Sequence, residues 1–245
     1  MIRTDQPTCF PSELVVRVSS RDDGTMLDRT IGIHTPAIVA NRRRFCQQNG
    51  INYDDVVYHR IVYGPQRTYE LISEVDAGSA TRYTSEIVAD ALVTTQANVG
   101  LFLPVADCVA TVLYDPVCHR LALLHLGRHS TLTSLLQRVI KRFIAEGSRS
   151  QDIIVWMSPS AQRASYVLEY FDQADEGQWR DFCERQADGI HLDLPGYNQV
   201  VCQQAGVLTE HIYRSPIDTA TNDTYFSHSA GDTTGRFAVV AMMKL

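Results

Sequence analysis

Residues 99–145, VGLFLPVADCVATVLYDPVCHRLALLHLGRHSTLTSLLQRVIKRFIA, constrain the fold more than any other stretch of the chain. Positions 101–105 and 121–126 are apolar runs, and 109–114 is β-branched and aromatic. Between the last two lies Asp115-Pro116-Val117-Cys118, with proline at the second turn position. The pattern predicts strand, sharp corner, strand, turn, strand. If Asp115 and Cys118 close the turn as an antiparallel pair, Cys108 lies directly opposite His125, with Cβ atoms about 5 Å apart. That separation suits two ligands of one metal, or a thiolate and its imidazole base. A register slip of one residue would turn one of the two side chains to the other face.

Beyond His125, Leu132, Leu135, Leu136, Val139, Ile140, Phe143 and Ile144 recur at helical spacing. Ser130 or Thr131 is placed to cap the start, and Gly147 follows the end. One long helix is expected, each buried side chain contributing about 1.5–3 kcal/mol before entropy is counted. This helix is scaffold. Elsewhere, strands are predicted at 14–18, 55–63, 90–94, 153–157, 211–214 and 237–242, and helices at Pro36–Gln48, 178–186 and 195–204. Residues 64–86 read as a hairpin arm and loop, and 218–235 as a polar loop. The sequence shows no repeat, linker or low-complexity tract, so a single domain over 1–245 is expected, its first ~14 residues loosely held.

Composition narrows the function. The 245 residues are 44% hydrophobic and 20% charged, an ordinary globular balance. With 22 basic and 28 acidic residues the net charge is −6, which argues against nucleic acid or an anionic membrane as a general partner. The first residues carry no basic-then-apolar leader, and no apolar run approaches the roughly 20 residues of a membrane span. Six scattered cysteines without a Cys-x-x-Cys pair fit a reducing cytoplasm better than a disulfide framework. Monomer and homodimer are equally compatible with the sequence.

Three side chains stand out as chemistry: His59 in mid-strand, Cys108 at the corner, and His125 at a strand end before a helix. Two imidazoles and a thiol suit zinc, which takes three protein ligands and keeps an open position when catalytic. The same set also suits a Cys–His nucleophile pair assisted by a second histidine.

The segment VADCVATVLYDPVCHRLALLHLG resembles the ADC–strand–DP–strand–HAG signature of the YfiH-like family, labelled laccase-domain or multicopper polyphenol oxidase. Further segments fall in the family's order, with Asn41, Arg42, His59, Phe226, Ser227, His228, Gly235 and Arg236 at matching places. The resemblance implies an α/β fold of the α+β type, with mixed sheet layers packed with helices. It maps His59, Cys108 and His125 onto a zinc-binding triad. It also implies purine nucleoside phosphorolysis, with nucleoside and phosphate as small-molecule partners, and adenosine deamination. Phosphorolysis needs a held phosphate, and arginine supplies bidentate contacts to one. Deamination needs a water activated by a metal with an open position.

The substrate shell departs from the family pattern. Where the family has His-Ala-Gly-Trp-Arg, this chain has His125-Leu126-Gly127-Arg128-His129, and where it has two arginines after the Ser-[Tyr/His] pair, this chain has Ser229 and Ala230. Arg60 replaces the glycine after the strand histidine. Expected substrate contacts are therefore Asn41, Arg42, Arg128, His129, His228 and Arg236. Three alternatives stand beside the zinc enzyme: a Cys–His hydrolase or deamidase on the same fold, a copper phenol oxidase, and a non-catalytic paralogue. A multicopper oxidase needs about ten histidine ligands in His-x-His pairs. Eight histidines and no His-x-His speak for zinc over copper.

Overall fold

The computed structural model describes residues 6–28, 34–64, 67 and 69–244. In chain order the elements begin β1 (Leu14–Val18), α1 (Pro36–Gln48), β2 (Val56–Arg60), β3 (Ile72–Glu74), β4 (Ile87–Val88) and β5 (Ala91–Thr94). The central unit follows as β6 (Gly100–Val105), β7 (Val109–Asp115), β8 (Arg120–Leu126), α2 (Arg128–Leu132), α3 (Leu135–Ala145) and β9 (Ile154–Met157). The chain closes with β10 (Val167–Leu168), β11 (Cys183–Gln186), β12 (Gly189–Leu192), α4 (Leu194–Gln204), β13 (Ile212–Arg214) and β14 (Phe237–Met243).

These strands build two mixed sheets and a small third one. The first has the order β1-β14-β6-β2-β4, the second β13-β9-β7-β8-β5-β3, and the third β10-β12-β11. The α/β class expected from the sequence is what forms. Leu101, Leu103, Val239 and Ala241 of the first sheet meet Val112, Leu121, Leu123 and Leu92 of the second in one buried layer. α1 covers the outer face of the first sheet with Phe45 and Cys46, and Val39 packs against them. Leu135, Leu136, Val139, Ile140 and Phe143 of α3, with Val201 and Cys202 of α4, cover the outer face of the second. The strands are buried on both faces because each sheet is packed on both sides, and they read as continuous apolar runs rather than alternating ones.

The corner in the central unit is where the chain changes sheets. β6 belongs to the first sheet and β7 to the second, so Ala106-Asp107-Cys108 crosses between the layers. Asp107 takes a left-handed φ of 70°, a conformation that aspartate tolerates better than most residues.

Several expectations need correction. The β7–β8 turn is a four-residue loop, with Asp115 paired to Arg120 and Ala110 to His125. The Asp115 carboxylate accepts from the amides of Val117 (2.8 Å) and Cys118 (3.1 Å), and His119 has φ 48°, which draws two more residues into the loop. Cys108 is therefore level with Gly127, not His125. The shift is by two residues, so Cys108 and His125 keep a common face. The long helix is broken at Ser134, whose φ of 59° separates α2 from α3, and Ile144 is exposed. Residues 178–186 are a 3₁₀ turn followed by β11, because antiparallel pairing with β12 satisfies their backbone. The strand around His59 ends at Arg60. Of the N-terminal stretch, residues 1–5 lie outside the described residues, and Gln6 is tied to both backbone groups of Val18 at 2.8 Å.

The sheet–sheet layer is expected to dominate stability. Leu123→Ala, at a site with no solvent exposure, should cost about 2–5 kcal/mol. Urea unfolding should show a lower midpoint at unchanged slope.

Candidate functional site

His59 and Cys108 reach one place by different routes. β2 pairs with β6 in parallel, Tyr58 beside Phe102, and carries His59 to the end of the first sheet. Cys108 sits on the crossover at the end of β6, and His125 comes from β8 of the second sheet. All three line a single cavity of about 710 Å³ between the ends of the two sheets.

The cavity floor is organised around His125. Its Nδ1–H donates to Asp90 Oδ1 at 2.8 Å, and its backbone amide donates to the Asp90 carbonyl at 2.8 Å. Asp90, fully buried, precedes β5, whose pairing with β8 places Ala91 beside Leu124. The other side of the ring borders the space at Gly127, which the Cys108 thiol also borders. Gly127 makes that approach possible: a Cβ there would lie 3.2 Å from Cys108 Sγ and 3.4 Å from His125 Cε1. Ser130 locks the start of α2, accepting from the Gly127 amide at 3.0 Å and donating to the His125 carbonyl at 2.7 Å. Asp107 clamps the closing loop over the corner, accepting from Thr219 Oγ1 and from the Ser229 amide, each at 2.7 Å.

The two histidines are driven apart in basicity. Burial works against a charge on His125, but Tyr63, Cys108 and Asp90 outweigh it and hold the imidazolium well above the usual range. Burial lowers His59 to about 4 against the opposing pull of Asp90, so its ring is neutral at physiological pH. Both ring nitrogens of His59 are buried, and among the described residues neither has a hydrogen-bond partner at normal geometry, the Ala89 backbone being its polar neighbour. An imidazole in that state costs free energy unless something else satisfies it. Among the described residues, no three His, Cys, Asp or Glu side chains are already set at metal-holding geometry. The donor types still suit zinc: one thiol and two imidazoles in one cavity, one ring orphaned and neutral, the other oriented by a carboxylate as metal-ligating histidines are.

Of the other residues singled out from sequence, His228 and Arg236 line this cavity. Arg236 is 6% exposed and braced by the carbonyls of Gly235 (2.6 Å) and Asp232 (3.3 Å). Asn41, Arg42, Arg128 and His129 do not line it. Arg42 is fully buried behind Tyr58, donating to the Met26 carbonyl at 2.7 Å and the Tyr58 hydroxyl at 3.1 Å. Asn41 holds the Thr25 carbonyl at 3.0 Å. Arg128 reaches the Tyr170 carbonyl at 3.3 Å, and His129 stacks on Tyr69 at 4.7 Å. The sequence reading missed Asp90, Tyr63 and Tyr166, which shape the site, and Glu86 on its wall. Asp90 did carry a signal, an acid at the head of an apolar strand, but only the β5–β8 pairing brings it to His125.

Fold and site together define an α/β protein with a thiol, two imidazoles and a supporting carboxylate at one cavity between two sheets. The chain belongs to the family described as multi-copper polyphenol oxidoreductase laccase, whose model matches residues 26–244. It is 29% identical over 216 residues to a purine nucleoside phosphorylase of Corynebacterium glutamicum, covering 87% of this chain and 84% of that protein. A purine nucleoside phosphorylase of Deinococcus radiodurans is 27% identical over 211 residues, covering 84% of this chain and 77% of that protein. Its fold is similar to that of Bacillus licheniformis YfiH (TM-score 0.83, 22% identity, 95% of this chain and 93% of that one). It is equally similar to Geobacillus stearothermophilus YlmD (TM-score 0.82, 22% identity, 98% and 94%). Among the described residues, no helix is long and apolar enough to cross a membrane.

Asp90→Asn is expected to keep the fold but lose the tautomer and orientation of His125. Activity should fall about 10–100-fold, as when the outer partner of a working histidine is removed. Turnover measured beside a thermal-unfolding control checks this.

Proposed function

We propose that this cavity binds a purine nucleoside and phosphate and cleaves the N-glycosidic bond by phosphorolysis, with adenosine deamination as a second use of the same groups. The observation that carries the reading is the Asp90–His125–Cys108 arrangement facing an unpartnered, neutral His59 in one cavity. The names of the relatives support it at the level of substrate class.

His59, Cys108 and His125 would hold zinc, which supplies Lewis-acid polarisation when bound. The remaining work falls to the chain's own groups. Asp90 keeps Nδ1 of His125 protonated and its ring fixed, so the opposite nitrogen faces the cavity. Arg236, held rigid by two backbone carbonyls, supplies positive charge for an anionic co-substrate. Asn41, Arg42, Arg128 and His129 are held by other partners outside the cavity lining and take no part in this reading. Phosphate selection therefore rests on fewer arginines than the family pattern provides.

A second reading, a Cys–His hydrolase or deamidase, is favoured by the same carboxylate–imidazole–thiol line. In that reading Cys108 is the nucleophile, His125 its base and Asp90 the orienting group.

One experiment separates them. The purified protein is assayed for metal and offered a purine nucleoside panel with and without phosphate, with free base and inosine read by chromatography. The proposal expects about one zinc per chain and phosphate-dependent base release. It also expects Cys108→Ala to lose the metal and more than about 100-fold in turnover. No turnover on any purine nucleoside would end this reading. A metal-free protein whose amide hydrolysis is abolished by alkylating Cys108 would establish the second.

A further inference from the structure

Beyond the reacting floor, the cavity wall carries a charged group that the proposed chemistry does not use. Glu86 immediately precedes β4, and Arg60 ends β2, with which β4 pairs. The Glu86 carboxylate is bridged on both sides: Oε1 accepts from Arg60 Nη1, and Oε2 meets His34 Nε2 at 3.0 Å. Its side chain is 14% exposed, against 47% for Arg60 and 35% for His34. All three line the same cavity as Cys108 and His125. Burial opposes the charge, but Arg60 and His34 outweigh it and hold the carboxyl below the usual range, so Glu86 is an anion at neutral pH.

We propose that Glu86, clasped by Arg60 and His34, is the acceptor for the vicinal 2′- and 3′-hydroxyls of a ribonucleoside. This rests on the nucleoside reading above. A carboxylate has about four lone-pair sites, and two partners leave capacity for two hydroxyl donors. Each ribose hydroxyl is both donor and acceptor, and the wall presents both kinds of group side by side: the carboxylate to accept, and the remaining N–H groups of Arg60 to donate. Phosphate fits poorly there, because it would meet a fixed negative charge. A purine amino group only donates, and would leave the Arg60 donors unmatched. The two braces also fix the carboxylate before substrate arrives, which lowers the ordering cost of binding.

The test is a cycle between the substrate hydroxyls and the side chain. Adenosine, 2′-deoxyadenosine and 3′-deoxyadenosine are compared at saturating phosphate on the wild-type protein and on Glu86→Gln. The wild type should show KM raised about tenfold or more for each deoxy analogue with kcat little changed, the signature of lost ground-state binding. In Glu86→Gln, adenosine should show the same rise, and the penalty for a missing hydroxyl should shrink toward one. Equal KM for all three nucleosides on the wild type overturns the proposal without need of a variant. So does an undiminished deoxy penalty in Glu86→Gln. Wild-type turnover of adenosine alongside either result leaves the nucleoside reading standing. No turnover of any nucleoside removes that reading and this one together.

Discussion

The hydrogen bond from His125 to Asp90 is the contact on which the rest of the site depends. A buried imidazole and a fully buried carboxylate are each expensive alone. Paired at 2.8 Å, they satisfy one another and fix which face of the ring meets the cavity. The backbone contributes too, since the same two residues share a main-chain hydrogen bond where β8 meets the start of β5. The His125 ring is thus held by sheet pairing, and not by a loop that could drift. Cys108 is delivered from the other sheet by the crossover, and Gly127 leaves the space in which sulfur and ring approach. The two layers meet here because the chain changes sheets here.

That dependence explains why the central unit was legible. Its three strands are apolar on both faces, which marks them as interior whatever their exact pairing. Asp115-Pro116 predicts a two-residue turn, but the Asp115 side chain nucleates a longer loop and moves the β7–β8 register by two residues. An even slip preserves faces, so the thiol–imidazole convergence survives the shift. A slip of one would have destroyed it.

Other features could not be read locally. Nothing in Ser134 announces a left-handed break in an otherwise continuous apolar stripe. Residues 183–186, Cys-Glu-Arg-Gln, have no strand signature, and pairing with β12 decides their conformation. Arg42 looked like an anion contact because its segment matches a family motif, yet its guanidinium is spent on a carbonyl and two tyrosine hydroxyls beneath the cavity. Glu86 lay in a weakly patterned segment, and its place on the wall follows from a two-residue strand too short to read. Charge at the cavity is therefore arranged differently from what motif matching suggests: Arg60 and Arg236 line it, and Arg42 and Arg128 do not.

The central claim is that one thiol and two imidazoles from separate strands act as a single ligand set. X-ray absorption at the zinc edge of the zinc-loaded protein reads that set directly. The account predicts one sulfur at about 2.3 Å and two nitrogens at about 2.0 Å. A shell without sulfur, or a chain that takes up no zinc, would contradict it.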